Sequence, residues 1–104
     1  MADLELELIA SGDGAATVRV NGEVDMATAP QLRMLLDQLV DGGAHRIVLD
    51  CSALAFLDSS GIGVLVATRN RMGEDGQLVL DAAPAHVRKV LDITGVTEHL
   101  SIQP

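Results

Sequence analysis

Leucine and glutamate alternate at the start of the chain. Leu4, Leu6 and Leu8 are separated by Glu5 and Glu7, the period-two pattern of a strand with one face on a core and the other in water. The run Ser11-Gly12-Asp13-Gly14 is turn chemistry, and alternation resumes over Thr17 to Asn21 with Val18 and Val20 inward. The first two strands are therefore predicted to form an antiparallel hairpin. From Thr28 the period lengthens: Leu32, Leu35, Leu36, Leu39 and Val40 recur at helical spacing, and Arg33, Asp37 and Gln38 take the other side. Thr28-Ala29-Pro30-Gln31 has capping-box spacing, in which the Thr hydroxyl and the Gln amide are predicted to serve each other's backbone N–H groups. Pro30 falls in the first turn, where its missing donor costs little, and Gly42 and Gly43 end the helix.

Arg46 to Asp50 is a short continuous apolar run with β-branched members, as expected of a strand covered on both faces. Phe56 and Leu57 lead through Asp58-Ser59-Ser60-Gly61 into a second helix carrying Ile62, Val64, Leu65, Val66, Ala67 and Met72. Its first turns are apolar nearly all round, which predicts burial. Gln77 to Leu80 reads as another buried strand. Pro84 opens a third helix with Val87, Val90, Leu91 and Ile93 on one side, closed by Gly95, and Glu98 to Ile102 makes a short edge strand. The predicted order is strand, strand, helix, strand, helix, strand, helix, strand. That is an α/β fold: a mixed sheet, built from an N-terminal hairpin plus right-handed strand-helix-strand crossovers, covered by helices.

Composition narrows the function classes. At 104 residues and 48% hydrophobic, the chain can bury enough surface to fold as one small domain without metal or disulfides. Fifteen Asp and Glu against seven Lys and Arg leave a formal charge of −8, so nucleic acid and anionic membranes are repelled. No apolar stretch is long enough to span a bilayer and no basic segment precedes an apolar run at the N-terminus, which predicts a cytoplasmic protein. Cys51 is the single cysteine, in keeping with a reducing compartment. His45, His86 and His99 have no ligand-like spacing to one another or to Cys51, so no metal is expected.

Two short segments remain as candidates for chemistry. Ser59 and Ser60 lie where a loop turns into the second helix. One reading makes a serine the N-cap of that helix. The other makes it a modification site, since a helix N-terminus offers free N–H groups and partial positive charge to a phosphate. Gly61 and Gly63 either admit another backbone or relieve crowding against the sheet. A nucleophilic serine is disfavoured, because the hydrolase elbow G-x-S-x-G is absent: Leu57 and Asp58 stand two residues before Ser59 and Ser60. The chain has no Gly-Lys pair for a phosphate-binding P-loop, and Gly61-Ile62-Gly63 runs on to Val66 where a dinucleotide fingerprint needs a third small residue. The second segment is Gly22-Glu23-Val24-Asp25. It is either a solvated turn favouring the following helix or part of a binding rim, because loops at the carboxyl ends of strands share one edge of an α/β sheet. As loop residues, Asp25 and Asp58 are each expected to affect folding by no more than about 1 kcal/mol.

At these residues the chain resembles the bacterial anti-sigma factor antagonists, the free-standing members of the STAS domain family. Three segments carry the likeness: Gly22-Glu23-Val24-Asp25 with Thr28-Ala29-Pro30 and Leu32; Phe56 to Leu65; and Leu91 to Val96. The resemblance implies residues 1–104 as a single STAS domain with no cofactor and no catalysis of its own. It implies phosphorylation of Ser59 by an anti-sigma factor with serine kinase activity, with Asp25, Asp58, Ser60 and Gly61 flanking the partner surface. Ser60 offers a second hydroxyl beside it. A phosphoserine phosphatase is the implied counter-partner, and neither nucleic-acid binding nor direct membrane insertion is implied. The same family also includes non-catalytic subunits of membrane transporters and signalling scaffolds, which form the alternative reading.

Overall fold

A computed structural model describes residues 3–96 and 100–103. The elements run β1 (Leu4–Gly12), β2 (Ala15–Val24), α1 (Ala29–Asp41), β3 (Arg46–Asp50), β4 (Leu54–Leu57), α2 (Ser59–Met72), β5 (Gln77–Asp81), α3 (Ala85–Thr94) and β6 (Ser101–Gln103). The sheet order is β1-β2-β3-β5-β6, with β4 also paired to β2. Among the described residues only β1 and β2 pair antiparallel; the other pairings are parallel. The hairpin turns at Asp13 and Gly14, with φ of 54° and 78°, the two positive values that match the twist of a two-residue hairpin loop. The α/β class, the hairpin and the helix-covered mixed sheet are as the sequence predicts.

One strand was not foreseen. Leu54 to Leu57 has its buried residues at the two ends and exposed ones between, so no period-two signal marks it. It forms because β2 is long: β3 pairs with its first half from Ala15 to Arg19, and β4 takes the vacant second half from Gly22 to Val24. The loop into α2 therefore leaves β4, not β3.

Burial also departs from expectation. β3 alternates, with Ile47 and Leu49 buried and Arg46, Val48 and Asp50 half-buried, so the sheet is covered on one face rather than two. On the covered face Val18, Val20, Ile47, Leu49, Leu78 and Leu80 join one cluster with Leu32 and Leu36 of α1, Ile62 and Leu65 of α2, and Val87 and Leu91 of α3. The other face is largely polar: Arg19, Asp50 and Asp81 lie in register across β2, β3 and β5, and Arg19 Nε is 3.3 Å from Asp50. The Ser52 hydroxyl and N–H, donating to Asp50 at 2.7 and 3.0 Å, hold its carboxyl below the usual range, with a smaller contribution from Arg19. Val79, in register with Val48 and Ser101, is the buried exception on that face. Leu8, expected inward, is 45% exposed, because β1 is the edge strand and packs mainly on β2. Ile93 is 74% exposed, since it stands about 200° around the helix from Leu91.

The expected capping box of α1 does not form, and the Thr28 side chain makes no cap bond. Gln31 instead donates to the Leu4 carbonyl at 3.1 Å, tying the helix to β1. At the other end Gly43, at φ 96°, allows Ala44 N–H to reach Leu39 O and Gly43 N–H to reach Val40 O, each at 3.0 Å, a Schellman closure. Arg71 of α2 binds Asp37 and Asp41 of α1. The sixth strand begins at Ser101; Glu98 and His99, expected at its start, lie outside the described residues.

Cys51 is 1% exposed at the end of β3, and burial, reinforced by Asp50 and Asp81, pushes its thiol from 9.0 up to about 12. The folded state holds this proton to higher pH than the unfolded chain, so the thiol's contribution to stability is intact below pH 9.0 and is lost as pH rises towards about 12. At pH 8 the thiolate fraction in the folded protein is about a thousandfold below that of the unfolded chain. Iodoacetamide should therefore label Cys51 at a rate set by unfolding, and urea should accelerate labelling steeply. Labelling of the native protein as fast as that of a free thiol would contradict this burial.

Candidate functional site

Two loops leave adjacent strand ends. Val24 and Leu57 are register partners on β2 and β4, and Asp58 N–H donates to the Val24 carbonyl at 3.2 Å. Asp25 and Asp58 are thus the first residues beyond a paired rung, side by side on the carboxyl rim of the sheet, where α/β folds hold their sites. Gly22 anchors this corner at φ 118°; a Cβ there would stand 2.2 Å from the Asp3 carbonyl oxygen. Its N–H donates to Ala53 O at 3.1 Å and that of Glu23 to Asp3 O at 2.9 Å, so the rim is sewn on both sides.

The first loop is closed by Asp25 and Thr28. The Asp25 carboxylate accepts from Ala27 N–H at 2.9 Å and Thr28 N–H at 3.1 Å. Thr28, 8% exposed, donates its hydroxyl to Glu23 O at 2.7 Å and accepts from Asp25 N–H at 2.9 Å. Thr28 was expected to cap the helix; it braces the loop that precedes it. Met26, at the tip, is 79% exposed.

The second loop is capped by Asp58, not by a serine. Its carboxylate accepts from Ser60 N–H at 2.9 Å and Gly61 N–H at 3.3 Å, and its carbonyl takes the first helical bond, from Ile62 at 3.0 Å. Of the two readings of Ser59 and Ser60, the cap is thereby filled by a neighbour. Ser59 is exposed and Ser60 half-buried; neither hydroxyl has a hydrogen-bond partner among the described residues. Gly61 is buried, and a Cβ there would fall 2.4 Å from Leu57 Cδ1 and 2.6 Å from Val24 Cγ1. It is a packing glycine, seated on the rung from which both loops spring. Gly63 is exposed and open around its Cα.

Of the five residues singled out from sequence, Asp25, Asp58, Ser59 and Ser60 come to one rim and Gly61 lies beneath it. The brace at Thr28 and the corner at Gly22 were missed in their present roles. Both depend on partners that only the fold brings near, Glu23 O across the turn and Asp3 O across the sheet. The two carboxylates are also more structural than expected: both are half-buried and each accepts two backbone N–H groups. Elsewhere, His86 Nε2 is 2.7 Å from Ala55 O, docking α3 on β4. Among the described residues there is no cluster of three or more metal-ligating side chains and no helix long and apolar enough to cross a membrane.

The STAS domain model matches residues 9–104, both loops included. The chain belongs to the STAS domain family. It is 37% identical over 93 residues to BtrV of Bordetella bronchiseptica, provisionally named an anti-sigma factor antagonist, covering 88% of this chain and 78% of that one. The structure of an anti-sigma factor antagonist from Mycobacterium paratuberculosis superposes with a TM-score of 0.84 at 30% identity, over 100% of this chain and 86% of that one. The anti-sigma factor antagonist SpoIIAA, unphosphorylated, shares the fold with a TM-score of 0.77 at 24% identity over 96% and 87%; SpoIIAA has also been solved phosphorylated.

As the cap of α2 in this STAS domain, Asp58 should cost about 1–2 kcal/mol when replaced by Ala. Gly61→Ala should cost about 1–3 kcal/mol by overpacking against Val24 and Leu57. Urea denaturation monitored by circular dichroism measures both; a neutral Gly61→Ala would mean that the rung is not packed as described.

Proposed function

We propose that this STAS domain is an anti-sigma factor antagonist. It acts without catalysis, in the cytoplasm. Unphosphorylated, it binds an anti-sigma factor that has serine kinase activity and so releases a sigma factor; phosphorylation of Ser59 by that kinase switches binding off. One observation carries the reading: Ser59 is an exposed, unbonded hydroxyl at the first position of α2, next to the fixed carboxylate of Asp58 and on the same rim as that of Asp25. The names of BtrV and the mycobacterial structure, and the two phosphorylation states of SpoIIAA, support it.

The local physics explains how such a switch operates. A kinase needs an acceptor that protrudes and is not held by its own fold, and Ser59 meets both needs. A phosphate adds about 1.5 to 2 negative charges. Two N–H groups of the helix start are already taken by Asp58, so the phosphate gains mainly the helix dipole and lies beside like charge. The fold pays little, because no native hydrogen bond of Ser59 is broken. The cost falls more on the partner, since it must accept a bulky dianion where it met a hydroxyl on a rim that already carries two carboxylates. Asp25 and Asp58, with Ser60 beside them, would form the surface that the partner reads; Gly61 supports it from below.

Titration calorimetry against the purified kinase-type anti-sigma factor tests the reading. Phosphorylation at Ser59 should weaken binding at least tenfold, about 1.4 kcal/mol, with an unchanged circular dichroism spectrum. Ser59→Glu should reproduce part of the loss, since a carboxylate carries less charge and a different oxygen geometry, and Ser59→Ala should bind as wild type without being phosphorylated. Equal affinity of the two forms, or phosphate mapped to Ser60, would overturn the assignment of Ser59.

A further inference from the structure

The two glycines at the start of α2 differ in what the fold asks of them. Gly61 is buried and has no room for a Cβ. Gly63 lies within the same helix, is exposed, and, its chain neighbours and its own helix backbone aside, has no heavy atom within 4 Å of where its Cβ would be; its φ is not in the left-handed region. A glycine inside a helix is the poorest choice after proline, because it carries the largest entropy loss on folding. Neither packing, backbone conformation nor capping asks for one here.

Its position supplies the reason that the fold does not. Gly63 is four residues after Ser59, so the two occupy the same face one turn apart. Helical Cα–Cβ bonds tilt towards the N-terminus, so any side chain at 63 leans over the surface towards Ser59. A bare Cα at 63 leaves that turn flat, with main chain exposed next to the acceptor hydroxyl. Glycine is the residue that lets another backbone approach this closely.

We infer that Gly63 is a specificity-determining residue of the Ser59 surface: it keeps bare the strip of α2 on which a main-chain segment of the anti-sigma kinase lies when Ser59 is presented to it. The inference rests on the proposed function and names what that surface requires of its partner, close backbone contact along α2 as well as recognition of the rim carboxylates. It also identifies a site where stability is given up for docking. Restoring a side chain should make the free protein more stable and the complex weaker, a combination that a merely structural glycine cannot produce.

The experiment compares Gly63→Ala and Gly63→Leu with wild type, using the purified kinase-type anti-sigma factor as the probe. Both variants should fold, with Gly63→Ala raising Tm by about 4 °C. Affinity should fall about tenfold for Ala and further for Leu, and the rate of Ser59 phosphorylation at limiting protein should fall in parallel. Asn70→Ala, an exposed change near the far end of the same helix, controls for helix stabilisation alone and should leave affinity unchanged. If Gly63→Leu binds within twofold of wild type while Ser59→Glu weakens binding, the role of Gly63 is refuted and the function stands. If neither substitution changes binding, or wild type binds no such kinase, the proposed function and this inference fall together.

Discussion

The rung between Val24 and Leu57 is the constraint on which the rest of the site depends. Parallel pairing of β2 with β4 sets Asp25 and Asp58 side by side, and Gly61, packed on both residues of the rung, fixes the angle at which α2 leaves the sheet. A methyl group at 61 cannot be absorbed by rotating a flexible side-chain end, because its neighbours are a branched valine and a leucine in a close-packed core. The exposed residues above the rung have few contacts of their own. Their geometry is inherited from apolar residues beneath them, which is how side chains outside the core can still present a defined surface.

Long periodic elements were legible in the sequence because a single face decides them. The leucines of α1, the hairpin strands and the closing glycines 43 and 95 state their roles through spacing and residue type alone. What failed to show was whatever depends on a partner distant in sequence. β4 has four residues and no alternation, and exists because β2 outruns β3. The open face of β3 was hidden because Val48 is apolar; only the polar register of Arg19, Asp50 and Asp81 reveals that no helix lies there. Thr28 and Gln31 fit a local capping box by spacing, yet each finds a better acceptor in the strands, at Glu23 O and Leu4 O. A local motif lost to tertiary hydrogen bonds of the same chemistry.

The candidate residues were legible as a group, and their division of labour was not. Sequence allowed a serine to cap α2, but the carboxylate of Asp58 accepts from the N–H groups of Ser60 and Gly61 and leaves the serine hydroxyls unengaged. Aspartate, serine and asparagine are comparable caps, so spacing could not choose among neighbours. The choice bears on the proposed function: a capping serine would have to abandon its bond to be modified, whereas here the structural duty sits on Asp58, which the proposed phosphorylation of Ser59 would not touch.

That separation bears on how a small domain could switch without unfolding. Marginal stability leaves only about 5–15 kcal/mol to lose, so a modification that broke a cap, a brace and a packed rung would approach that limit. In the proposed role the modified atom belongs to none of these. Asp58 keeps the helix start, Thr28 keeps the first loop, and Gly61 keeps the rung, while Ser59 and the bare turn at Gly63 face outward. The same arrangement makes the surface sensitive to charge: with two of the helix-start N–H groups occupied by a carboxylate, a phosphate finds no ready cradle and its charge stays exposed to whatever binds. A fold that neutralised the phosphate would silence the signal; one that leaves it unneutralised passes the full electrostatic cost to the partner.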